Sequence, residues 1–342
     1  EGILAITKAL LQSGVSYVGG YQGSPISHLM DVLNDAREIL GELGVHFEAS
    51  GSEATAAAML SASVNYPLRG AVTWKSTVGT NVASDALSNL ASSGVVGGAM
   101  VLVGEDYGEG SSIMQERTYA FAMKAQMWLL DPRPNLPSIV HMVEHGFGLS
   151  EASNTHVYAQ EREKIDLRLP AALDYIREHK LNEVFPGQHQ QVGIILQGGT
   201  YNTVIRALQR QGLADPFGNT DIPLYVMNVA YPLVPDELVE FCRDKDQVLV
   251  LEEGQPEYVE QGIHTVLRRA EIDTRICGKG IMPMAGEYTG QVTLEGITRF
   301  LEQAAPAITL ALSATEVEAL RNPLTEEDQQ ALLANVPPRP SG

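Results

Sequence analysis

Short apolar runs alternate with amphipathic stretches from the beginning of the chain, and glycine-rich turns separate them. The alternation predicts helices over residues 3–12, 25–40 and 52–65 and from about 81 onward, and strands over 16–19, 45–48, 70–73 and 98–103. The last of these runs is continuously apolar between turn residues, which is typical of a strand buried on both faces. We therefore expect an α/β domain whose mainly parallel sheet is covered by helices on both sides.

The same rhythm returns in the second half of the chain. It predicts strands over 192–196, 224–228 and 247–252 and helices over 202–211, 235–244 and 256–270. Between the halves, a proline-containing strand over 136–143 precedes a helical stretch over about 150–179, and the polar segment NEVFPGQHQ at 182–190 has the composition of a linker. We predict two doubly wound α/β domains, over residues 1–184 and 190–312, followed by a connector over 313–342.

The composition is that of a folded chain with a strongly acidic surface. Its 342 residues suffice for two domains, and 23 basic against 42 acidic residues give a net charge of −19. Because such a surface repels phosphate backbones and anionic headgroups, we expect neither a nucleic-acid nor a membrane partner. The longest apolar stretch, at 94–104, is shorter than the roughly 20 residues that cross a bilayer, and residues 1–11 lack the pattern of a signal peptide.

Cysteine is rare in this sequence. Cys242 and Cys277 are far apart and form no CxxC pair. They therefore supply neither a disulfide framework nor the ligands of a zinc or iron–sulfur site. We expect a reducing, cytoplasmic location.

The segment GGYQGSP, at 19–25, joins a predicted strand to a predicted helix. Its small residues allow the backbone to approach a ligand closely. Alternatively, Ser24 only caps the helix, with Pro25 as its first residue. Both interpretations remain open at this point.

Two further segments carry polar residues at predicted helix starts. GSEATAAAML, at 51–60, places Glu53 among alanines, either to complement the helix dipole or as a buried carboxylate that holds a proton for a cofactor ring. TWKSTVGTNVASDAL, at 73–87, carries Lys75 and Asn81, which are either a solvated lysine and a helix cap or ligand contacts.

The glycine-rich segment GEDYGEGSS, at 104–112, follows a buried strand at the end where α/β proteins bind ligands. Arg117 follows it, and its guanidinium either holds a carboxylate of a ligand or pairs with an acidic neighbour.

A different chemistry is suggested by H-x-x-E-H at 141–145, the pattern of a zinc peptidase whose two histidines lie one turn apart on a helix. Pro137 and the surrounding β-branched residues instead predict an extended strand, which would direct His141 and His145 to opposite faces. A zinc peptidase is therefore not expected.

The order of these segments, GYQGSP, SEATAAAML, WKSTVGTNVASDAL and VLVGEDYGEGSSIMQER, resembles the 2-oxoacid:ferredoxin oxidoreductases, and among them the α subunits of the indolepyruvate branch. The segments AYPLVPDELVEFC and QVLVLEEGQPEYVEQ of the second half are also similar to that family. The positions that match the family pattern are Gly20, Tyr21, Gly23, Pro25, Glu53, Lys75, Gly79, Asn81, Val82, Ala83, Asp85, Ser111, Ser112 and Glu116.

The resemblance implies a fold and a set of site residues. It implies that the first domain is the pyrimidine-binding (PYR) domain of a thiamine diphosphate enzyme and that the second is similar to the transketolase C-terminal domain. Glu53 then matches the catalytic glutamate that binds N1′ of the aminopyrimidine. Tyr21, Gln22, Gly23 and Asn81 are implied as further cofactor contacts. Substrate contacts are implied for Ser24, where the family has threonine, and for Lys75 and Arg117.

The resemblance also implies parts that this sequence lacks. In the family a GDG…N motif holds the diphosphate and Mg²⁺, and cysteines hold [4Fe–4S] clusters. We expect both on partner domains or subunits, beyond a connector that PPRPSG at 337–342 resembles, and we expect no activity without them. The implied reaction is oxidative decarboxylation of indolepyruvate or another aryl 2-oxoacid to an acyl-CoA, with coenzyme A as co-substrate and ferredoxin as electron acceptor.

An alternative is a structural or assembly subunit whose ligand site has decayed. Gln22 stands where the family usually has proline, and Ser24 stands where it usually has threonine. These departures favour the alternative.

Overall fold

The computed structural model describes residues 1–106, 117–153, 164–254 and 256–320. Its helices are α1 (Gly2–Gln12), α2 (Ser27–Asp35), α3 (Arg37–Glu42), α4 (Glu53–Met59), α5 (Ser61–Asn65), α6 (Val78–Val82), α7 (Ser84–Ser93), α8 (Thr118–Ala125), α9 (Leu136–Ala152), α10 (Leu169–Glu178), α11 (Tyr201–Arg210), α12 (Pro235–Cys242), α13 (Tyr258–Arg269), α14 (Gly290–Ala304) and α15 (Ala314–Ala319). None of these helices is both long and apolar enough to cross a membrane.

The strands form two larger sheets and one two-stranded ribbon among the described residues. They are β1 (Tyr17–Gly20), β2 (His46–Ala49), β3 (Gly70–Lys75), β4 (Ala99–Gly104), β5 (Leu129–Leu130), β6 (Glu183–Phe185), β7 (Val192–Gln197), β8 (Leu224–Met227), β9 (Val229–Tyr231), β10 (Gln247–Leu251) and β11 (Arg275–Cys277).

The first sheet is parallel, in the order β2-β1-β3-β4. Alternate residues of its strands point to opposite faces, as the pleat requires. Val18 and Ala71 join a core with α1, α2 and α9, whereas Tyr17 and Val72 join a core with α4 and α7. Both faces are therefore buried, which explains the continuous apolar runs in the sequence.

The second sheet has the order β11-β10-β7-β8-β6. Its strands are parallel except for the edge strand β6, which runs antiparallel to β8. Ile194 faces a core built with α11 and α14, and Ile195 faces one built with α12 and α13. The predicted doubly wound α/β architecture is confirmed in both halves.

The structure corrects the predicted strand over 136–143. These residues belong to α9, a helix of 17 residues. The side chain of Asn135 accepts a hydrogen bond from the N–H of Ser138, and Pro137 occupies the first turn, where a missing N–H costs nothing. The β-branched residues of this segment suggested a strand. In the structure they lie on a helix, and Val143 is buried on the same side of it as Phe147.

The segment predicted as a linker is partly structured. Its residues Glu183–Phe185 form β6 and pair with β8. The predicted helix over 25–40 is two helices, α2 and α3, and the one over 52–65 is α4 and α5. Helix α14 and strand β11 were not predicted, and residues 154–163 of the predicted stretch 150–179 lie outside the described residues. The domain boundaries remain predictions.

Strand β5, from the first half of the chain, pairs antiparallel with β9 of the second half. A shared apolar cluster lies beside this ribbon and contains Met142 and Leu149 of α9, Ile176 of α10, and Val229 and Val234. The two sheets are thus joined by backbone hydrogen bonds and by a common core.

A buried ion pair also joins the halves. The guanidinium of Arg117 donates to Glu252 Oε1 at 2.5 Å, and the two side chains are only 3% and 2% exposed. The same carboxylate accepts the N–H groups of Val259 and Glu260 at the start of α13. Lys279 Nζ donates to the backbone carbonyl oxygen of Glu252 at 2.5 Å, so the residue that follows β10 is bound through its backbone as well as its side chain.

Replacing Arg117 with Met should lower the free energy of unfolding by about 3 kcal/mol, because the Glu252 carboxylate then lies buried without its cation. Urea denaturation measures this loss. The double variant Arg117→Met/Glu252→Gln should recover part of it, since no charge is left unpaired. Arg299→Met is the control, because its guanidinium is 49% exposed in the pair with Glu295 and such pairs contribute about 0–1 kcal/mol. Equal losses of unfolding free energy in Arg117→Met and Arg299→Met would contradict the conclusion that the Arg117–Glu252 pair is a buried pair on which stability depends.

Asp131 follows β5 at the junction of the two sheets, and its N–H donates to the carbonyl of Asn228 at 2.9 Å. Burial raises the pKa of Asp131 to about 7, and the charge of Glu105 adds to the rise. Because the folded pKa lies above the unfolded one, the stability linked to this group is present when it is protonated. That stability is lost as the pH rises toward and through 7.

The Asp131→Asn variant should therefore melt at a higher temperature than the unmodified protein, and the gain should be larger at pH 8 than at pH 5.5. The amide carries no charge at either pH, whereas the carboxylate is increasingly ionised in the folded state between them. Calorimetric melting at both pH values measures the difference. The exposed Asp35→Asn serves as the matched control, and a gain of the same size at both pH values in Asp131→Asn would refute the argument.

Candidate functional site

The carboxyl ends of β1 and β3 lie side by side, and the loops that follow them are held together through the backbone. The N–H of Tyr21 donates to the carbonyl of Thr73 at 2.9 Å, and the N–H of Ser50 donates to that of Gly20 at 2.9 Å. A Cβ on Gly20 would lie 2.2 Å from the carbonyl oxygen of Thr73. Only glycine permits this approach, so the sequence at this position dictates how closely the loop lies on β3.

The segment GGYQGSP continues along β3. A Cβ on Gly23 would lie 2.6 Å from Cβ of Lys75, so this glycine also allows a close approach. Tyr21, Gln22 and Ser24 are exposed beside it. The interpretation of Ser24 as a helix cap is wrong, because α2 begins three residues later, at Ser27, and no side chain caps it.

Glu53 is the first residue of α4. The preceding Ser52 already provides the cap, since its Oγ accepts the N–H of Thr55 at 3.2 Å. The Glu53 side chain is buried, with the residue 8% exposed, and no described residue gives its carboxylate a hydrogen bond or an ion pair. Because no described side chain or backbone group occupies these oxygens, they are available to a ligand that reaches them.

Helix α6 makes room for this carboxylate. A Cβ on Gly79 would lie 2.8 Å from Cγ of Glu53 and 2.4 Å from Cδ1 of Trp74. Trp74 is fully buried and donates its indole N–H to the hydroxyl of Thr80 at 3.2 Å, which fixes the start of the helix. Asn81 lies two residues beyond Gly79 and is exposed.

Exposed apolar side chains occur in the loop after β1 and in α6. Tyr21 is 40% exposed, and Val78 and Val82 of α6 are 37% and 50% exposed.

The two basic residues implied as substrate contacts already have acidic partners. Lys75 Nζ lies 2.8 Å from Asp106, and both side chains are largely buried. Arg117 is bound to Glu252, at the junction with the second sheet. The structure thus brings Tyr21, Gly23, Glu53, Lys75 and Asn81 to one edge of the first sheet and directs the guanidinium of Arg117 away to the second. Their roles remain predictions, and Ser111, Ser112 and Glu116 lie outside the described residues.

A cleft of about 490 Å³ extends from Asn81 toward the second half of the chain. It is lined by Ser76, Thr77, Thr80, Asn81, Ser84, Arg117, Thr118, Lys124 and Tyr258, together with the apolar Ala120, Phe121 and Pro256. Sequence reasoning missed this cleft, although the hydroxyl-rich run from Ser76 to Ser84 was a visible signal. The contribution of Tyr258 had no local signal, because it comes from a distant part of the sequence.

The H-x-x-E-H pattern lies on α9, so the expectation that its histidines point to opposite faces is wrong. The ring centroids of His141 and His145 are 4.2 Å apart. A catalytic zinc site needs three protein ligands and an open position. In the described part of the chain no group of three or more His, Cys, Asp or Glu side chains could hold a metal ion, which gives a peptidase no support.

Comparisons with known proteins show what the whole chain is similar to. No family model matches the chain. It is 26% identical over 86% of its length to indolepyruvate oxidoreductase subunit IorA of Methanothermobacter thermautotrophicus, and 24% identical over 98% to that of Thermococcus kodakarensis. The chain is similar to the IorA subunits. It spans about half the length of these curated relatives, 53% and 55% of them respectively.

Two solved structures share the fold. A 2-oxoglutarate:ferredoxin oxidoreductase from Magnetococcus marinus, solved with 2-oxoglutarate, coenzyme A and succinyl-CoA bound, superposes with a TM-score of 0.65 over 87% of this chain and 64% of its own, at 14% identity. A split-gene transketolase, solved as an inactive tetramer of four beta subunits, superposes over 97% of this chain and 97% of its own, with a TM-score of 0.53 at 18% identity. The predicted arrangement of a PYR domain and a transketolase-C-like domain is consistent with both.

A Gly79→Ala variant should lose about 1–3 kcal/mol of stability, because the added methyl group overlaps Trp74 and the stem of Glu53. Thermal unfolding measures the loss. Gly41→Ala is the matched control, since Gly41 also lies in a helix but has no atom within 4 Å of the added Cβ. That variant should be neutral or slightly more stable, and an unchanged Gly79→Ala would argue against the packing described.

Proposed function

We propose that this chain is a subunit of a thiamine diphosphate-dependent 2-oxoacid:ferredoxin oxidoreductase that acts on indolepyruvate or another aryl 2-oxoacid. The observation that carries the proposal is the buried, unpartnered carboxylate of Glu53 at the carboxyl edge of a parallel sheet. The IorA relatives support the aryl substrate, and the shared fold supports the enzyme class. Coenzyme A and ferredoxin are the co-substrate and the electron acceptor in this proposal.

The site fits the pyrimidine half of the cofactor. Gly79 leaves space beside Glu53, and the surrounding small residues of α4, Ala56 and Ala57, are buried and keep water away. A carboxyl group in such surroundings can hold a proton in a hydrogen bond to a ring nitrogen, and that bond is stronger than in water. Tyr21, Gln22, Gly23 and Asn81 would contact the ring. When bound, thiamine diphosphate supplies the nucleophilic carbon and the electron sink that decarboxylation requires.

The rest of the site comes from partner domains or subunits in this proposal. It is supported by two observations: the described residues contain no group of three or more His, Cys, Asp or Glu side chains that could hold a metal ion, and the sequence has two cysteines, too few for a [4Fe–4S] cluster. Tyr21, Val78 and Val82 would be covered by the pyrophosphate-binding partner, which would also close the space over Glu53. The cytoplasm is the compartment we propose for the complex.

Substrate contacts in this scheme begin with Ser24, whose exposed hydroxyl can donate to the 2-oxo group. Lys75 is held by Asp106 at 2.8 Å, so its ammonium group is positioned at the same edge as Glu53. Arg117 would act on the substrate only by giving up Glu252, and we propose for it the structural role described above.

The second candidate function is a scaffold that keeps the fold and the oligomer contacts without a working site. The ion pairs that occupy Lys75 and Arg117 favour it, because a catalytic role would need at least one of these cations for the substrate.

Replacing Glu53 with Gln in the assembled complex separates the two functions. Loss of the proton-holding carboxyl group should reduce 2-oxoacid-dependent, coenzyme A-dependent ferredoxin reduction by about 10²–10⁴-fold. The thermal melting temperature should not fall, because the amide removes a buried charge without changing the shape. Glu48→Gln, an exposed carboxylate at the end of the neighbouring strand β2, is the control and should retain full activity. Unchanged turnover in Glu53→Gln would establish the scaffold and exclude the enzymatic role.

A further inference from the structure

Three histidines and a tyrosine gather where α9 meets the end of α10, outside the candidate site. His141 and His145 lie one turn apart on α9, and Tyr175 and His179 lie one turn apart at the end of α10. The ring centroids of His145 and His179 are 5.0 Å apart, and Tyr175 stacks on His179 at 3.9 Å with an angle of 19° between the rings. His145 of α9 and His179 at the end of α10 therefore lie next to each other across the contact between the two helices.

Tyr175 holds one nitrogen of each of these two rings. Nδ1 of His179 lies 2.9 Å from the carbonyl oxygen of Tyr175, which can only accept, so Nδ1 carries the proton and Nε2 carries the lone pair. Nδ1 of His145 lies 3.1 Å from the Tyr175 hydroxyl, which can accept in the same way. Metal-binding histidines are oriented by such a bond from their second nitrogen to an oxygen.

A glycine makes this position of Tyr175 possible. A Cβ on Gly148 of α9 would lie 2.1 Å from the Tyr175 hydroxyl oxygen. Glycine in the middle of a helix costs about 0.5–1 kcal/mol relative to alanine. At this place it allows the tyrosine to pass between the helices and reach His145.

The distances distinguish the two possible histidine pairs. Two imidazoles that bind one ion through nitrogens about 2.1 Å from it place their ring centres roughly 5 Å apart. The pair His145–His179 has its ring centres 5.0 Å apart with an angle of 63° between the rings, and this separation is compatible with one shared ion. The pair His141–His145, at 4.2 Å, is closer. Water would complete the coordination, because the described residues offer no group of three or more ligating side chains.

We propose that His145 and His179 form a two-imidazole site for a divalent transition-metal ion such as Zn²⁺, which joins α9 to the end of α10. Imidazole suits Zn²⁺, Ni²⁺ and Cu²⁺, and it does not suit Mg²⁺ or Ca²⁺.

Calorimetric titration of the metal-free full chain with zinc chloride at pH 7.5 tests the proposal. We expect saturable binding of one ion, no binding of magnesium chloride, and a higher melting temperature with zinc. His145→Ala and His179→Ala should each weaken binding at least tenfold. Tyr175→Phe keeps the stacked ring and the carbonyl but loses the hydroxyl, and it should weaken binding by about tenfold.

The controls separate this site from nonspecific zinc binding. His264→Ala, which removes an exposed histidine of α13, should bind zinc like the unmodified chain, and His141→Ala should stay within twofold. Circular dichroism checks that each variant is folded, with His145→Gln as the replacement if His145→Ala is not. Absence of binding, full binding in the double variant His145→Ala/His179→Ala, or loss of binding in His141→Ala but not in His179→Ala would each overturn the proposal.

Discussion

The organisation of the first sheet depends on placing the Glu53 carboxylate in the interior without giving it a partner in the described chain. Three glycines make this possible. Gly20 and Gly23 let the loop after β1 lie directly on β3, and Gly79 lets α6 begin against the stem of Glu53. Any larger side chain at these positions would separate the segments and admit water. The position of the carboxylate is therefore set by the backbone, and its oxygens are left available to a bound ring.

A buried ion pair lies at the junction between the two sheets. Arg117 and Glu252 are both removed from water. The Glu252 carboxylate accepts from Arg117 and from two backbone N–H groups, whereas Nε of Arg117 is buried without a hydrogen-bond partner. Such a pair contributes little net stability but makes misalignment costly, since a displaced partner leaves an unpaired buried charge. The cleft beside Asn81 opens against this junction, because Arg117 belongs to its lining.

Much of the fold follows from local pattern, and the exceptions have physical causes. Continuous apolar runs identified β3, β4, β7 and β10 because a parallel strand buried on both faces has few alternatives. Helix α9 was missed because Ile139, Val140 and Val143 favour a strand, although the cap at Asn135 and the proline that follows were signals of a helix start. Strand β6 was missed because it lies at a sheet edge, where polar residues are tolerated.

Some features of the candidate site were likewise predictable from the local sequence, and others were not. Alanines around Glu53 indicated a tightly packed helix, and glycines indicated close approach. The partner of Arg117 lies 135 residues away in the sequence, and nothing near Arg117 points to it. Pairing across such a distance is a property of the folded chain alone. The contact of His145 with Tyr175 and His179 arises in this way too, from the packing of two helices.

The ribbon of β5 and β9 has a consequence for how this polypeptide can be divided. Cutting the backbone within residues 182–190 would leave β9 on one fragment and its only pairing strand in the ribbon, β5, on the other. Each fragment would also carry part of one apolar cluster as an open surface. Such fragments aggregate when alone and recombine when mixed. We therefore expect the two fragments of a cut chain to fold by complementing each other and not to refold separately.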